Sequence, residues 1–366
     1  MNHKIFITGG AGYVGVMLAQ KFASRADVEK IFCLDKEECP DILKDESKIE
    51  WLTMNTCDDW EVFVRKFAPD IVIHTAWQIR EMYGKKDLQW KWNVDGSDKV
   101  FDFAFFEPSV KRLISFSTVA SYSARKDNTL EHRFTEDEPF RESDYLYAIE
   151  KKVAEDHLKE KYEAARDRGG RAPSVFIIRP AAITGPRGRF MRIRFGLQSA
   201  LSGQLTQSPI HRMVSAMVSF VPATKKWARQ FVHEDDITDV VELLSFADVP
   251  DNKYEAFNIC PPGDIVLAKD MARLVGKKVM PVSPLMVRFA FFVMWNLTRG
   301  RVPTSKGGWK SYSYPIIVDG SKITKMFGFK YRCDSKTAFS KIEGRYAKYV
   351  DNSRKGNPSG YSGKNI

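Results

Sequence analysis

Short apolar runs alternate with segments of helical spacing along the first half of the chain. The runs predict strands at residues 4–8, 30–35, 49–53, 69–76, 112–117 and 174–178. Between them, apolar residues recur with the period of a helix at residues 60–67, 88–106 and 143–168. This alternation is typical of an α/β fold with a doubly wound parallel sheet. Such sheets bind ligands at the carboxyl ends of their strands.

The first predicted strand runs into three glycines, Gly9, Gly12 and Gly15, spaced G-x-x-G-x-x-G. The first can turn the chain at positive φ, the second lets the backbone approach a pyrophosphate, and the third lets the next helix pack against the strand. Backbone N–H groups at the start of that helix, around Tyr13 and Val14, can hold phosphates. The pattern predicts a dinucleotide-binding fold of the Rossmann type.

Asp35 ends the second predicted strand, 20 residues after Gly15. A carboxylate at that distance accepts hydrogen bonds from the adenosine ribose and repels the extra phosphate of NADP. The neighbouring Lys36 partly offsets the repulsion of that phosphate. Because of the Asp35 carboxylate, we predict NAD as the cofactor.

The second half has a weaker pattern. It predicts a helix at 190–201, an apolar stretch at 213–221, a strand at 230–232, and helices at 235–246 and 285–297. We expect an NAD-binding domain over residues 1–180, to which residues 225–260 return. Residues 181–350 would form a smaller, mixed substrate-binding region, and residues 351–366 a disordered tail.

Composition adds few constraints. The five cysteines lack metal-ligand spacing, and an odd number argues against a disulfide framework. We expect a reducing, cytoplasmic location, no metal, and no signal peptide ahead of the first strand. The apolar segment 285–297 contains Arg288 and is too short to span a bilayer.

Charge divides the chain. The net charge is +11, but residues 1–167 carry 25 Lys/Arg against 32 Asp/Glu, and residues 168–366 carry 32 against 14. Residues 168–233 hold eleven basic residues and no acidic one, with arginines at 187, 189, 192 and 194. The positive field of these residues suits an anionic small-molecule substrate or surface. A solvated basic face without a specific role explains the same charge equally well. Without a helix-turn-helix, zinc-finger or RNA-binding motif, we expect no nucleic-acid partner.

Eight segments then occur in a characteristic order: residues 8–15, Asp35, 74–76, 93–96, 117–118, 147–151, 179–181 and 229–233. Their order resembles that of the extended short-chain dehydrogenase/reductases of the NAD-dependent epimerase/dehydratase family, over roughly residues 3–345. The resemblance implies cofactor contacts from Gly9, Gly12, Tyr13, Val14, Gly15, Asp35, Asn55, Thr56, His74, Thr75, Ala76, Asn93, Tyr147, Lys151 and Pro180.

The resemblance also implies three catalytic residues. Tyr147 would be the base that takes the hydroxyl proton of a secondary alcohol, and Thr118 would hydrogen-bond the same oxygen. Lys151, one helical turn after Tyr147, would hold the nicotinamide ribose and favour the phenolate. Tyr122 and Lys126 have the same spacing, but that tyrosine follows a strand end where the family has no base.

Three positions qualify the resemblance. Asn55 stands where the family usually has an aspartate that bonds the adenine. Val119 and Ala120 follow Thr118 where family dehydratases carry acidic residues, which disfavours dehydration. Arg229 occupies the position of an arginine that contacts the diphosphate of nucleotide sugars; the alternative is a surface arginine over Trp227.

Three functions remain open at this point. The first is an NAD-dependent epimerase or oxidoreductase acting on a nucleotide-diphosphate sugar. The second is a hydroxysteroid- or lipid-type alcohol dehydrogenase, favoured by the apolar 210–223 and 285–297 segments. The third is a non-catalytic dinucleotide-binding protein. Segment 285–297 is either a substrate-domain helix or a weak contact with an anionic membrane surface, and a homodimer through the 143–168 helices is common in the family.

Overall fold

The computed structural model describes residues 2–167, 172–187, 220–274, 278–341 and 343–347. Its main sheet consists of β1 to β6 and β11, whose bounds are His3–Thr8, Val28–Asp35, Ile49–Thr53, Ile71–His74, Arg112–Phe116, Ser174–Pro180 and Tyr254–Ile259. The minor strands β7 to β10, β12 and β13 are Ala182–Thr184, Phe220–Ala223, Ala228–Arg229, Phe231–His233, Val266–Leu267 and Lys278–Pro281.

The described helices include six in the first half of the chain. These are α1 to α6, at Tyr13–Ala23, Asp41–Lys44, Glu61–Phe67, Lys86–Trp90, Gly96–Phe106 and Leu146–Asp167. Helices α7 to α12 follow at Glu234–Phe246, Ala268–Leu274, Pro284–Leu297, Gly308–Ser311, Ser321–Phe327 and Ser335–Ser340. A π-helical turn covers Lys91–Asp95, and a 3₁₀ turn covers Val119–Tyr122.

The main sheet has seven strands in the order β11-β6-β5-β4-β1-β2-β3, and all its pairs are parallel. The predicted doubly wound α/β fold of the Rossmann type is confirmed. The strand order reverses between β1 and β4, so their carboxyl ends open a crevice at the point where such folds bind dinucleotides.

Alternation along β1 separates two layers of core. Ile5 and Ile7 pack into one cluster with Phe22 of α1, whereas Phe6 packs on the opposite face with Trp60 and Phe101. All six side chains are at most 1% exposed. Burial on both faces explains why the strands read as continuous apolar runs and not as an alternating pattern.

The predicted helix at 88–106 differs in detail from the structure. It is divided into α4, the π-helical turn and α5. The π-helical turn contains Asn93, whose side chain bonds the backbone of Gln78 and the carboxylate of Glu150. Such local widening of a helix often occurs at functional sites, and apolar periodicity does not reveal it.

The later strands form smaller pairs around the main sheet. β7 pairs with β10 and β8 with β13 in parallel, and β9 pairs with β12 antiparallel. A third core cluster lies here, including Trp227, Phe231, Val266 and Met271. The predicted helix at 190–201, most of the stretch at 213–221 and the tail at 351–366 lie outside the described residues. The proposed domain boundaries stay a prediction.

Candidate active site

A cleft of about 730 Å³ runs from the glycine turn to the third core cluster. At one end it is lined by Gly9, Gly12, Asp35 and Asn55, and at the other by Arg229. Val14, Thr56, Ala76 and Pro180 also line it. Most of the predicted cofactor and substrate contacts therefore share one continuous surface.

The glycine turn is shaped for close approach of a ligand backbone. Gly9 has φ +77°, and a Cβ there would lie 2.5 Å from the amide nitrogen of Ala76. A Cβ on Gly12 would lie 3.0 Å from the carbonyl oxygen of Gly9. Gly15 does not line the cleft, and a Cβ there would collide with that same carbonyl. The bare backbone and the start of α1 fit a pyrophosphate.

Asp35 is held by two backbone donors. Its Oδ2 accepts from the N–H of Ala11 at 2.9 Å, and its Oδ1 accepts from the N–H of Glu37 at 3.0 Å. Burial is the largest influence on this carboxyl and raises its pKa. The Lys36 ammonium lies 4.9 Å from the ring centroid of Trp92 and 3.3 Å from a carboxylate oxygen of Glu37. The acidic side chains of Asp35 and Glu37 thus line the end of the cleft next to the glycine turn.

The asparagine and threonine after β3 also lie at this end. The side-chain oxygen of Asn55 is 3.3 Å from the N–H of Cys57, which donates to it. Thr56 packs so closely on Gly96 that a Cβ there would collide with its hydroxyl. Asn55 thus presents an uncharged amide at this end of the cleft; its contact with the adenine stays a prediction.

His74 occupies a different place from the one predicted for a cofactor contact. Its Nδ1 is 2.7 Å from the hydroxyl of Thr8, and its Nε2 is 2.8 Å from that of Ser97. It is 2% exposed, does not line the cleft, and burial lowers its pKa to about 3. The neutral ring therefore joins β1 to α5 beneath the cleft, whereas Thr75 and Ala76 reach the surface.

Tyr147, Lys151 and Thr118 all line the middle of the cleft. Burial raises the pKa of the Tyr147 phenol, and a hydrogen bond with the Thr118 side chain lowers it. Thr118 also caps the 3₁₀ turn by accepting from the N–H of Ala120 at 3.1 Å. These bonds place a hydroxyl pair where a substrate oxygen can be bound by both groups.

Lys151 is buried beside the pair. Its ammonium donates to the carbonyl oxygen of Phe116 and lies 3.5 Å from the ring centroid of Trp77. Burial lowers its pKa to about 7, against the opposing attraction of Glu155 and Glu150. Its charge therefore changes within the neutral pH range.

Tyr122 and Lys126 do not form an alternative pair in the cleft. The Tyr122 hydroxyl donates to the carbonyl oxygen of Thr135 at 2.9 Å and accepts from Arg179 at 2.8 Å. Its side chain is fully buried away from the cleft, and burial raises its pKa. The geometry thus favours Tyr147 over Tyr122 as a group that can reach a substrate.

A buried network that the sequence did not reveal fixes one wall of the cleft. Asn93 bonds both backbone groups of Gln78, at 2.7 and 3.0 Å, and donates to Glu150 at 2.7 Å. Glu150 also accepts from Gln89 at 3.1 Å and is fully buried, which raises its pKa. Asn93 therefore positions the segment around Gln78, which lines the cleft.

Arg229 lines the end of the cleft far from the glycine turn. Its guanidinium carbon is 4.8 Å from the ring centroid of Tyr312 and 5.9 Å from that of Trp227. One of its nitrogens donates to the carbonyl oxygen of Ser311 at 3.4 Å. Arg229 therefore packs near Trp227 and also lines the cleft; its contact with a diphosphate stays a prediction. The arginines at 189, 192 and 194 lie outside the described residues.

The middle of the cleft is poor in acids. Of the described residues that line it, the acidic ones are Asp35 and Glu37, both near the glycine turn. Val119 and Ala120 follow Thr118 along the wall. Within this part of the chain, no carboxylate lines the cleft beside Tyr147 to expel a hydroxyl from the substrate.

The sequence model of the NAD dependent epimerase/dehydratase family matches residues 5–260, more than half of the chain. The chain belongs to this family. The family's cofactor is NAD, as predicted from the residues, and the glycine turn with Asp35 fits that group. No curated protein sequence matches the chain significantly.

Solved structures of this family have the same fold. WbmG of Bordetella bronchiseptica, in complex with NAD and UDP, is 20% identical, with 95% of each chain covered and a TM-score of 0.67. The dTDP-glucose 4,6-dehydratase of Bacillus anthracis, in complex with NAD, is 14% identical. The match covers 92% of this chain and 94% of that one, with a TM-score of 0.65. The UDP-glucose 4-epimerase of Thermotoga maritima, with UDP-glucose, is 19% identical. The match covers 92% of this chain and 96% of that one, with a TM-score of 0.63.

No helix among the described residues of this family member is long and apolar enough to cross a membrane.

Removing the carboxylate of Asp35 tests the cofactor preference. Asp35→Asn should weaken NAD binding about tenfold, because the ribose loses a charged hydrogen-bond acceptor. The variant should also show a smaller difference in affinity between NAD and NADP. Titration of both dinucleotides against wild type and variant measures this. Glu37→Gln, a neighbouring acid on the same wall, is the control. Tighter binding of NADP than of NAD by the wild type would contradict the assignment.

Proposed function

We propose that the protein is an NAD-dependent epimerase that acts on a secondary alcohol carbon of a nucleotide-diphosphate sugar. The observation that carries this proposal is one cleft in which the hydrogen-bonded pair Tyr147 and Thr118 lies between the glycine turn and Arg229. A substrate with a phosphate group at one end and a reacting hydroxyl further along matches that order.

Each residue in the proposed mechanism acts through a hydrogen bond or a charge. Tyr147 takes the proton of the substrate hydroxyl, and Thr118 holds the same oxygen during the transfer. The Lys151 ammonium lowers the cost of forming the phenolate. NAD, when bound, supplies the acceptor for the hydride that leaves the carbon. The same hydride would return to the carbon from the reduced cofactor, and Tyr147 would return its proton to the oxygen, which restores the alcohol as either epimer.

Epimerisation is preferred over dehydration because of what the cleft lacks. A dehydratase needs an acid that protonates a departing hydroxyl. Near Thr118 the described wall presents the apolar side chains of Val119 and Ala120 instead. We therefore assign the reaction to oxidoreduction at a single carbon, with the sugar released after inversion.

The substrate class rests on Arg229. Its fork of donors suits a diphosphate, and the flanking Tyr312 offers a flat apolar surface. The neighbours that hold UDP or UDP-glucose support a nucleotide-diphosphate sugar.

One observation favours a second candidate, a hydroxysteroid- or lipid-type alcohol dehydrogenase. The cleft around Arg229 is lined by apolar and aromatic side chains, namely Ile183, Trp227, Phe231, Met271, Tyr312, Ile316 and Phe339. Such a wall also accepts an uncharged apolar alcohol. The two candidates differ in the need for Arg229.

Substitution of Arg229 separates them. Arg229→Ala should weaken nucleotide-sugar binding roughly ten- to a hundredfold, because a charge-assisted bond to phosphate is lost. The measurement is the rise in melting temperature with each ligand in the presence of NAD, since binding to the native state stabilises it. Lys226→Ala, a nearby cation outside the cleft lining, is the matched control. Stabilisation by uncharged alcohols alone, equal in wild type and Arg229→Ala, would favour the dehydrogenase.

A further inference from the structure

Helix α9, Pro284–Leu297, exposes an apolar face. Phe289 is 69% exposed and Phe292 is 67% exposed. The outer face of α9, as we call it, consists of these two residues with Leu285, Met286 and Leu297, all of them exposed. A contiguous surface of this kind marks an interaction site more often than isolated apolar residues do.

The opposite side of α9 is anchored to the protein. Phe291 is 4% exposed and its ring lies 5.1 Å from that of Tyr312, which lines the cleft. Trp295 lies 5.4 Å from the ring of Tyr83. The helix is therefore held in place by its inner side, and the exposure of its outer face does not result from a lack of packing.

The segment of chain that contains α9 carries charge of one sign. Residues 271–318 contain eight Lys/Arg and no Asp/Glu. Arg288 lies on α9, Arg299 and Arg301 follow it directly, and all three are exposed. Two acids on adjoining segments, Asp144 and Glu81, are each paired with a lysine, Lys310 at 3.0 Å and Lys86 at 3.6 Å.

We propose that the outer face of α9 docks the protein on an anionic membrane surface. Apolar side chains that enter the boundary between headgroups and acyl chains, with arginines at the level of the headgroups, are the features of an interfacial helix. At 14 residues α9 is too short to cross a bilayer. A symmetric contact with a second copy is disfavoured, because it would bring the arginines around α9 of one copy close to those of the other.

Docking would bring the end of the cleft that Arg229 lines to the membrane. Ile79 lines the cleft and is 43% exposed, and it lies on the segment that leads to Tyr83 beside α9. Tyr312 connects the inner side of α9 to Arg229. Such docking determines where the protein lies and does not depend on which alcohol is the substrate.

Vesicle sedimentation tests this docking. The full-length protein with NAD should sediment with vesicles made of equal parts of phosphatidylcholine and phosphatidylglycerol, less with pure phosphatidylcholine, and less at high salt. The double variant Phe289→Ser, Phe292→Ser should lower the partition coefficient at least about tenfold. Phe106→Ser is the matched control, because Phe106 is also 69% exposed but lies on α5.

Three results would overturn the proposal. The first is absence of wild-type binding to the anionic vesicles. The second is a dimer by light scattering that the double variant dissociates, since a second copy would then cover the face. The third is a lower melting temperature of the double variant with unchanged vesicle binding, which would mean that the chain itself covers α9. Retention of NAD binding by the variant confirms that it is folded.

Discussion

Replacement of Tyr147 with phenylalanine should lower turnover about a thousandfold and leave NAD affinity within about twofold of wild type. The phenol oxygen that takes the substrate proton is lost, whereas the ring that lines the cleft stays. Thr118 loses its hydrogen-bond partner but keeps its cap on Ala120 at 3.1 Å, so the wall should stay folded. Rates under saturating NAD and a fluorescence titration of the cofactor measure the two effects.

Tyr122→Phe is the matched control for this variant. Tyr122 has the same spacing to a lysine, but its hydroxyl bonds Thr135 and Arg179 inside the core. We expect a loss of thermal stability, with turnover per folded molecule nearly unchanged. Loss of turnover in Tyr122→Phe with normal activity in Tyr147→Phe would mean that the wrong tyrosine has been assigned.

Lys151→Met should reduce both turnover, at least about a hundredfold, and NAD affinity, about tenfold. Methionine fills similar volume but carries no ammonium to favour the phenolate or to hold the ribose. The expected loss in cofactor binding distinguishes this variant from Tyr147→Phe. A Lys151→Met protein that turns over normally would exclude a role for the ammonium.

The same lysine predicts a pH dependence. Its pKa is lowered by burial to about 7, below the usual value for lysine, so the ammonium fraction falls as the pH rises through that value. The kcat/KM for the sugar should therefore decline on the alkaline side of about pH 7. Lys151→Arg, whose guanidinium stays charged, should retain a larger share of its own maximum at high pH. An identical alkaline decline in wild type and Lys151→Arg would rule out this cause.

The sheet could be predicted from the sequence because its strands are short apolar runs that end in recognisable chemistry. Gly9 and Asp35 carry local signals, since a turn at positive φ and a carboxylate after a strand restrict residue type without any distant contact. The position of Lys151 one helical turn from Tyr147 is likewise a matter of helical geometry. These features needed only the order of residues along the chain.

Other features depend on contacts between distant segments. His74 ends a strand at the correct edge, but whether its ring faces the cleft or Thr8 and Ser97 is decided by packing across the sheet. Glu150 stands beside Lys151 in sequence, and its role in holding Asn93 emerges only when α6 meets the π-helical turn. The exposed side of α9 could not be distinguished either, because a nearly continuous apolar run does not indicate which face is covered.

The most direct test of the account is a time course with nucleotide-diphosphate sugars and a catalytic amount of NAD, in which NMR follows sugar stereochemistry and absorbance follows NADH. An epimerase regenerates its cofactor, so we predict that the two epimers approach equilibrium without net NADH, and that Arg229→Ala slows this approach. Steady accumulation of NADH from an uncharged alcohol, with Arg229→Ala as active as wild type, would contradict the nucleotide-sugar assignment and favour the alcohol dehydrogenase.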